Sequence, residues 1–294
     1  MKRGLRLALG VGALALVGAV AVAACCGGTG LARTPRRPAS GLLHLPRLLP
    51  DRLLEVPILL YHRIDRERPT LSPITQRLTI DPADFAAQMT WIKRHGFHAL
   101  TQRQLFAGLE EGAPLPCRPL VVTFDDGYAD VFDNAAPVLG RLGMPATMYV
   151  ITDRPSLQNS GFLRWRGVAQ LERAGFDIGS HTVTHRALTS LSNEQVVEEL
   201  VRSRTELERH LGHPVQWLAY PHGAVDARVV QIARRAGYVL GVTSSPGAIQ
   251  DAHHPLELHR FEILNSTGVA GLAAILRPAE IGCRRGHRAP PISG

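Results

Sequence analysis

Two adjacent carboxylates stand at the end of an apolar run in the middle of the chain. Residues 120–124 read Leu-Val-Val-Thr-Phe, which predicts a buried strand, and the next three residues are Asp125, Asp126 and Gly127. Neighbouring carboxylates repel each other, so a strand end gains from them only where a cation or a base role offsets the repulsion. Taken alone, the motif is explained equally well by Asp126 as a helix cap and Asp125 as a solvated turn residue.

Two histidines with metal-ligand spacing follow another apolar run. His181 and His185 are four residues apart and come directly after residues 176–180. On a turn, imidazoles at this spacing can face one metal ion, to which a carboxylate adds an oxygen ligand. Such a pair is often incidental in a chain with 13 histidines. Its combination with two carboxylates at another strand end favours a metal site.

A third motif lies at the end of a further apolar run. The sequence Leu-Ala-Tyr at residues 218–220 is followed by Pro221, His222 and Gly223. A proline followed two residues later by glycine fixes a turn, and a backbone N–H group in such a turn can stabilise an oxyanion. An ordinary strand-to-helix turn is the alternative.

The elements that must position these motifs alternate between strand and helix from residue 56 onward. We predict strands at residues 56–62, 97–100, 119–124, 146–151, 176–180, 215–220, 238–242 and 258–264. We predict helices at residues 82–95, 102–110, 129–142, 164–174, 193–211 and 225–236. This alternation predicts an α/β fold with a mainly parallel sheet, closed as a (β/α) barrel of about seven strands in a single domain. All three motifs then lie at carboxyl ends of strands, where such folds place their chemistry.

The net charge of +8 comes from the two ends of the chain. Residues 1–50 contain seven basic groups and no acid, and residues 277–294 contain four arginines and one glutamate. The intervening residues carry 22 basic and 24 acidic groups. The folded body therefore has no predicted basic face, and nucleic acid is not an expected partner.

The N-terminus predicts export. Lys2, Arg3 and Arg6 precede 18 uncharged, mostly apolar residues at 7–24, as in a signal peptide. The stretch ends in Val-Ala-Ala followed by Cys25, which resembles a bacterial lipobox and would attach a lipid to that cysteine. Cleavage near residue 23 or 24 and an uncleaved membrane anchor are the alternatives. All three place the body outside the cytoplasm, in the cell envelope or secreted.

The predicted organisation has four parts. Residues 1–24 are the signal peptide or anchor, 25–52 a flexible tether, 53–276 the catalytic domain and 277–294 a basic tail. Cys117 and Cys283 are far apart in the body, and an oxidising compartment permits a disulfide between them without showing one. The signatures of serine hydrolases (GxSxG), P-loop enzymes and dinucleotide-binding folds are missing from the sequence.

In order and spacing, the three motifs resemble the polysaccharide deacetylase family, also called NodB homology or carbohydrate esterase family 4. The resemblance covers residues 56–276 and depends most on the Thr-Phe-Asp-Asp-Gly and Ser-His-x3-His motifs. The sequence Leu-Tyr-His-Arg at residues 60–63, Trp165 and the third motif are similar to envelope enzymes acting on poly-N-acetylglucosamine. The resemblance implies a distorted (β/α)7-8 barrel and metal-dependent removal of N-acetyl groups from a glycan polymer.

The family also implies a role for each motif residue. Asp125 would be the general base, and Asp126, His181 and His185 would hold one divalent ion, with zinc as the expected metal. The backbone N–H of His222 would donate to the oxyanion. Expected partners are an N-acetylated glycan and, through the N-terminus, a membrane.

The sequence departs from the family in two places. Ala219 stands where many members have an arginine that orients the base, so that support must come from elsewhere. The late Leu-x-His motif is matched only loosely, and we predict His259 as the general acid, with Arg260 as the inward residue if the register shifts by one. His222 and His62 are the alternative acids.

Further substrate contacts are predicted at Tyr220, His222, His62 and Trp165, with Trp165 and Tyr128 as candidates for stacking on sugar rings. Two other functions stay open. One is a sugar-binding envelope protein that has the barrel but no activity, and the other is a deacylase of the same fold that acts on a small amide or an ester.

Overall fold

The fold is given by a computed structural model that describes residues 53–66, 68–157 and 161–286, with side chains described up to residue 277. The predicted signal peptide and tether, residues 1–52, lie outside the described residues. Within the described part, no helix is long and apolar enough to cross a membrane.

Twelve strands and eight α-helices are present in the described residues. The strands are β1 (Leu53–Glu55), β2 (Ile58–Tyr61), β3 (Arg63–Ile64), β4 (Thr79–Ile80), β5 (His98–Ala99), β6 (Pro119–Phe124), β7 (Ala146–Val150), β8 (Phe176–Ser180), β9 (Trp217–Ala219), β10 (Leu240–Val242), β11 (Ile249–Asp251) and β12 (Phe261–Glu262). The helices are α1 (Pro73–Arg77), α2 (Pro82–Arg94), α3 (Gln102–Phe106), α4 (Ala136–Leu142), α5 (Trp165–Arg173), α6 (Asn193–Leu211), α7 (Ala227–Arg235) and α8 (Gly268–Gly286).

The central sheet is parallel and curled. Its strand order is β10-β9-β8-β7-β6-β2-β12, and β5 pairs with the N-terminal end of β6. The segment at residues 258–262 approaches both edges, because Leu258 bridges to Val242 of β10 while β12 pairs with β2. The prediction of a single α/β domain with a distorted barrel is confirmed as a curled parallel sheet that closes through this late segment.

Both faces of the strands are buried, and side chains alternate between them. In β6, Val121 belongs to the inner core that fills the barrel, whereas Val122 and Phe124 pack outward beneath the helices. The same alternation puts Thr123 and then Asp125 on the inner face. An apolar strand buried on both sides explains why the sequence reads as a continuous hydrophobic run.

Helix α6 shows the start and stop signals that its sequence predicts. Ser192 caps its first turn and forms a reciprocal capping box with Gln195, and the helix ends at Gly212, which adopts a left-handed conformation. Asp81 caps α2 by accepting a hydrogen bond from the N–H of Ala83.

Some elements were not predicted. The pairs β1–β11 and β3–β4 and the helix α1 are too short to give a periodic signal. Helix α8 runs through residue 276, which we placed at the end of the domain, so the helix includes the first half of the predicted tail. Cys117 is disulfide-bonded.

Candidate active site

The carboxyl ends of the central strands meet around a cleft of about 300 Å³. Parallel strands deliver their C-terminal residues to one edge, which brings the three sequence motifs together. The cleft is lined by polar motif residues and by apolar side chains. Its lining includes His62, Ile74, Leu78, Asp125, Asp126, His181, His185, Tyr220, His222, Ser244, Arg260, Glu262 and Leu264.

Asp126, His181 and His185 converge as a three-ligand group. Asp126 Oδ1 lies 3.5 Å from the Nε2 atoms of both histidines, and these two nitrogens are 3.1 Å apart. The three ligand atoms all lie within 4.8 Å of one another. Two imidazoles and one carboxylate at this spacing suit a divalent ion such as zinc and leave coordination positions open.

The protonation of the group also fits a cation. His181 Nδ1 donates to the carbonyl of Ala219 at 2.8 Å, which leaves its Nε2 lone pair directed at the cluster. Burial, together with the charges of neighbouring histidines, lowers the pKa of His185 to about 3, so its ring is neutral. Burial and the adjacent Asp125 raise the pKa of Asp126 to about 6, and its Oδ1 has no hydrogen-bond donor.

Unusual backbone conformations concentrate at this cluster. Among the described residues other than glycine, five have positive φ: Arg118, Asp126, Thr182, His185 and His222. Four of them belong to the three motifs. Each such conformation costs roughly 1–3 kcal/mol and persists only where the surrounding structure enforces it. The motifs are therefore held in geometries that ordinary turns do not require.

Asp125 is fixed by a buried arginine. Arg260 donates to Asp125 Oδ1 at 2.8 Å and to Oδ2 at 2.7 Å, so the pair is bidentate. Arg260 is 1% exposed, and two of its three remaining N–H groups donate to the carbonyl of Thr243 and the hydroxyl of Thr123. Burial alone would raise the pKa of Asp125, but the guanidinium of Arg260, with His181, holds it at about 2.

Arg260 supplies the support that Ala219 cannot give. The expected arginine of the third motif is replaced by one from the late segment, which the closure of the sheet brings beside β6. Leu258 packs in the inner core, and the alternation of side chains along the segment then directs Arg260 inward. The structure therefore has the shifted register, in which Arg260 and not His259 faces inward, that the sequence offered as an alternative.

The prediction that His259 is the general acid is wrong, because the same register turns its side chain out of the barrel. His259 is exposed, does not line the cleft and packs beside Gly247. Its backbone N–H and carbonyl are both held by the side chain of Gln250. A strand register shifted by one residue exchanges the two faces, which is why a loose Leu-x-His match was misleading.

His62 lies in the cleft at the end of β2. Its Nδ1 is buried and has no hydrogen-bond partner. Burial lowers the pKa of His62, and the nearby carboxylates of Asp125 and Glu262 act in the opposite direction. Among the histidines proposed from the sequence as acids, His62 is the one with a buried ring nitrogen that has no hydrogen-bond partner.

The third motif forms the expected turn. His222 has φ +58°, and its ring centroid lies 4.6 Å from that of His185. Gly223 is required here, because a Cβ at this position would lie 2.0 Å from the Ser244 hydroxyl oxygen. Tyr220 contributes to the cleft wall, but its ring is fully buried in the core. Because Tyr220 lines the cleft, its predicted contact with substrate stays a prediction.

Trp165 does not lie in the cleft, so the prediction that it contacts substrate is also wrong. Its ring stacks on His210 with centroids 3.9 Å apart, and its Nε1 donates to the Ser156 hydroxyl. Tyr128 stacks on Phe162 instead of standing free. Sequence reasoning missed the apolar cleft residue Ile74, since α1 gave no periodic signal.

The curled α/β barrel and this cluster at its strand ends define a hydrolase-like site. Comparisons with known proteins then identify the family. Residues 112–241 match the family described as polysaccharide deacetylase. A solved polysaccharide deacetylase from Bacillus cereus is 31% identical, with a TM-score of 0.66, and the match covers 77% of this chain and 69% of that one.

Two further relatives agree. The Streptococcus pyogenes deacetylase PplD, solved in complex with acetate, is 28% identical with a TM-score of 0.70, and the match covers 76% of this chain and 99% of that one. The poly-beta-1,6-N-acetyl-D-glucosamine N-deacetylase of Staphylococcus epidermidis is 26% identical over 209 residues, which are 64% of this chain and 72% of the relative. The chain belongs to the polysaccharide deacetylase family, as its motifs indicated.

Proposed function

We propose that the protein is an exported, metal-dependent hydrolase that removes N-acetyl groups from a polysaccharide of N-acetylglucosamine. The observation that carries this proposal is the convergence of the Asp126, His181 and His185 ligand atoms beside Asp125, which Arg260 holds in a bidentate pair. A carboxylate base next to an open metal site is the arrangement that amide hydrolysis by water requires.

The metal site is the first part of the mechanism. Asp126, His181 and His185 would hold one divalent ion, for which we propose zinc because the donors are two imidazoles and one carboxylate. Such an ion lowers the pKa of a water molecule and polarises the amide carbonyl.

Asp125 acts as the general base. Its low pKa keeps it ionised, and the guanidinium of Arg260 fixes both of its oxygens, so the carboxylate is ready to accept a proton from the attacking water. The proton affinity of Asp125 is small for a base, and Arg260 therefore contributes orientation at some expense of basicity. The left-handed turn at His222 orients a backbone N–H that we assign to the developing oxyanion.

His62 is our candidate for the general acid. Loss of an amine requires a proton on the departing nitrogen, and His62 Nδ1 is an unpartnered ring nitrogen at the cleft. Burial and the charge of Arg260 lower the pKa of His62, although the carboxylates of Asp125 and Glu262 favour its charged form, so its role as the acid is proposed from its position in the cleft. His222, whose ring lies against His185, is better placed to contact substrate.

Poly-N-acetylglucosamine is the proposed substrate. The relative from S. epidermidis is named for this polymer, and the cleft offers apolar side chains at Ile74, Leu78 and Leu264 that suit the acetyl methyl group and sugar faces. The alternative of a non-catalytic sugar-binding protein is motivated by Ala219 and by the uncertain general acid. The bidentate pair of Arg260 with Asp125 answers the first of these reasons.

Export remains part of the proposal. It is supported by the basic residues before the apolar stretch at 7–24 and by the disulfide of Cys117, since such bonds persist in oxidising compartments. We propose a lipid on Cys25 as the membrane anchor. Mass spectrometry of the mature N-terminus decides: a diacylglyceryl Cys25 supports the anchor, whereas a plain N-terminus near residue 24 or an intact Met1 contradicts it.

Acetate release tests the proposed activity. The zinc-loaded enzyme is incubated with N-acetylglucosamine oligomers, peptidoglycan, a small N-acetylated amide and an acetyl ester, with and without chelator. We expect release from the oligomers that depends on the metal. Release from the small amide or the ester alone would favour a deacylase, and no release from any substrate would contradict the proposal.

A further inference from the structure

The loop that carries both histidine ligands is strained. Thr182 and His185 have φ values of +65° and +64°, a region that threonine and histidine adopt rarely. The loop is attached on one side to the end of β7, because the N–H groups of Thr152 and Asp153 donate to the carbonyls of Thr182 and Val183. Those bonds use the carbonyls of the loop and leave its N–H groups to be satisfied elsewhere.

A carboxylate from helix α6 satisfies them. Glu199 Oε2 accepts from the N–H of Val183 at 2.8 Å and from the N–H of Thr184 at 2.9 Å. Its Oε1 accepts a hydrogen bond from the Thr184 hydroxyl. Glu199 thus binds two of the three residues that lie between His181 and His185.

The formation of helix α6 does not require a buried glutamate at position 199. Glu199 is 7% exposed in the middle of α6, and burying a carboxylate is costly unless its oxygens receive hydrogen bonds. Here all three donors belong to the ligand loop. Charge-assisted bonds of this kind are stronger than those between neutral groups, so the carboxylate holds the loop more firmly than an amide would.

The loop is also held from within. The hydroxyl of Thr182 accepts from the N–H of His185 at 3.1 Å, and the hydroxyl of Ser180 accepts from the N–H of Thr182 at 3.1 Å. Ser180 in turn contacts the hydroxyl of Ser203 on α6 at 2.7 Å. Helix α6 therefore supports the loop at two places, through Ser203 before its first residue and through Glu199 between the two histidines, and Glu199 is the charged one of these two contacts.

We propose that Glu199 is a positioning residue for the metal site. By holding the N–H groups of Val183 and Thr184, it fixes the left-handed turn that directs His185 Nε2 toward Asp126. The sequence offered no sign of this role, because Glu199 is one of five glutamates in α6 and directly follows another, Glu198. The inference deepens the proposed function, since it concerns the same metal site.

The test compares two adjacent glutamates. Glu199→Gln removes the charge and presents an amide donor to backbone donors, whereas Glu198→Gln changes a side chain that is 68% exposed on the same helix. Metal-free full-length protein is titrated with zinc against a competing chelator, and the visible spectrum of the cobalt-loaded protein reports ligand geometry. We expect Glu199→Gln to weaken zinc binding about 10–100-fold and to alter the cobalt spectrum, with Glu198→Gln unchanged.

A milder variant covers the case in which Glu199→Gln does not fold. Thr184→Val removes the hydroxyl bond to Glu199 at an exposed position, and we expect a smaller loss of zinc affinity in the same direction. A lower melting temperature with unchanged zinc affinity and cobalt spectrum would overturn the positioning role. Wild-type protein that fails to bind zinc would overturn the metal-dependent function as well, so the two failures are distinguishable.

Discussion

Arg260 is the residue whose removal should affect the site most, through both stability and turnover. Arg260→Met keeps a long side chain but abolishes the bidentate pair with Asp125, which is 2% exposed. The carboxylate would then stay buried without a partner. Removing one member of a buried ion pair costs about 3–5 kcal/mol, a large part of the 5–15 kcal/mol by which a typical domain is stable.

The pKa of Asp125 gives a second measure of the pair. It lies at about 2, against an ordinary value of 3.8. A depression of nearly two units corresponds to about 2 kcal/mol of stabilisation. Because the pKa in the folded state is the lower one, this contribution is present above pH 3.8 and is lost as the pH falls toward 2. At neutral pH the whole contribution is therefore available to be lost.

A double-mutant cycle separates the pair from other effects. Urea unfolding of the metal-free chain at pH 7 is measured for wild type, Arg260→Met, Asp125→Asn and the double variant. We expect the double variant to be more stable than Arg260→Met, since no charge is left buried, and a coupling of about 2 kcal/mol or more. Arg260→Lys, which cannot form the fork, should retain zinc but lose about 10²-fold in kcat. The reasoning would be refuted if the changes in unfolding free energy of the two single variants added up to that of the double variant and Arg260→Lys had a normal kcat.

The remaining predictions concern three histidines. His62→Gln should lower kcat about 10²–10⁴-fold with zinc content intact, because the departing amine loses its proton donor; normal kcat by acetate assay would exclude His62 as the acid. His259→Ala should leave kcat within about twofold of wild type, since the side chain lies outside the cleft. The Glu172 carboxylate, despite partial burial, raises the pKa of His213 above 6.5, so the pair stabilises the fold below that pH and its contribution is lost as the pH rises through the raised pKa. His213→Gln should therefore cost at most about 1 kcal/mol in urea unfolding at pH 5, as expected for a half-exposed pair, and nothing at pH 9; an equal cost at both would contradict the pairing.

The sequence allowed the long elements and a possible metal site to be predicted. Strand β6 and helix α6 have the predicted bounds, because a doubly buried strand and a capped amphipathic helix both give strong local patterns. Asp126, His181 and His185 could be found since they lie within five residues of the ends of β6 and β8, and the parallel topology brings strand ends together.

The sequence was less informative about the general acid and about the residue that holds Asp125 in place. Whether His259 or Arg260 faces inward depends on a register fixed by Leu258 packing in the inner core and by pairing with two distant strands. Short segments carry too little pattern to specify such a register. Trp165 was misplaced for a related reason, since its position at the start of α5 gives no indication that His210 covers its ring.

The central claim is that Asp125 is the base of a metal-dependent deacetylase, and one paired measurement tests it most directly. Zinc content and acetate release from N-acetylglucosamine oligomers are measured on the same preparations of wild type and Asp125→Asn. We predict one zinc per chain in both proteins, acetate release from wild type alone, and loss of that release on chelation with recovery when zinc is returned. Full acetate release by chelated wild type, or by zinc-loaded Asp125→Asn, would contradict the account.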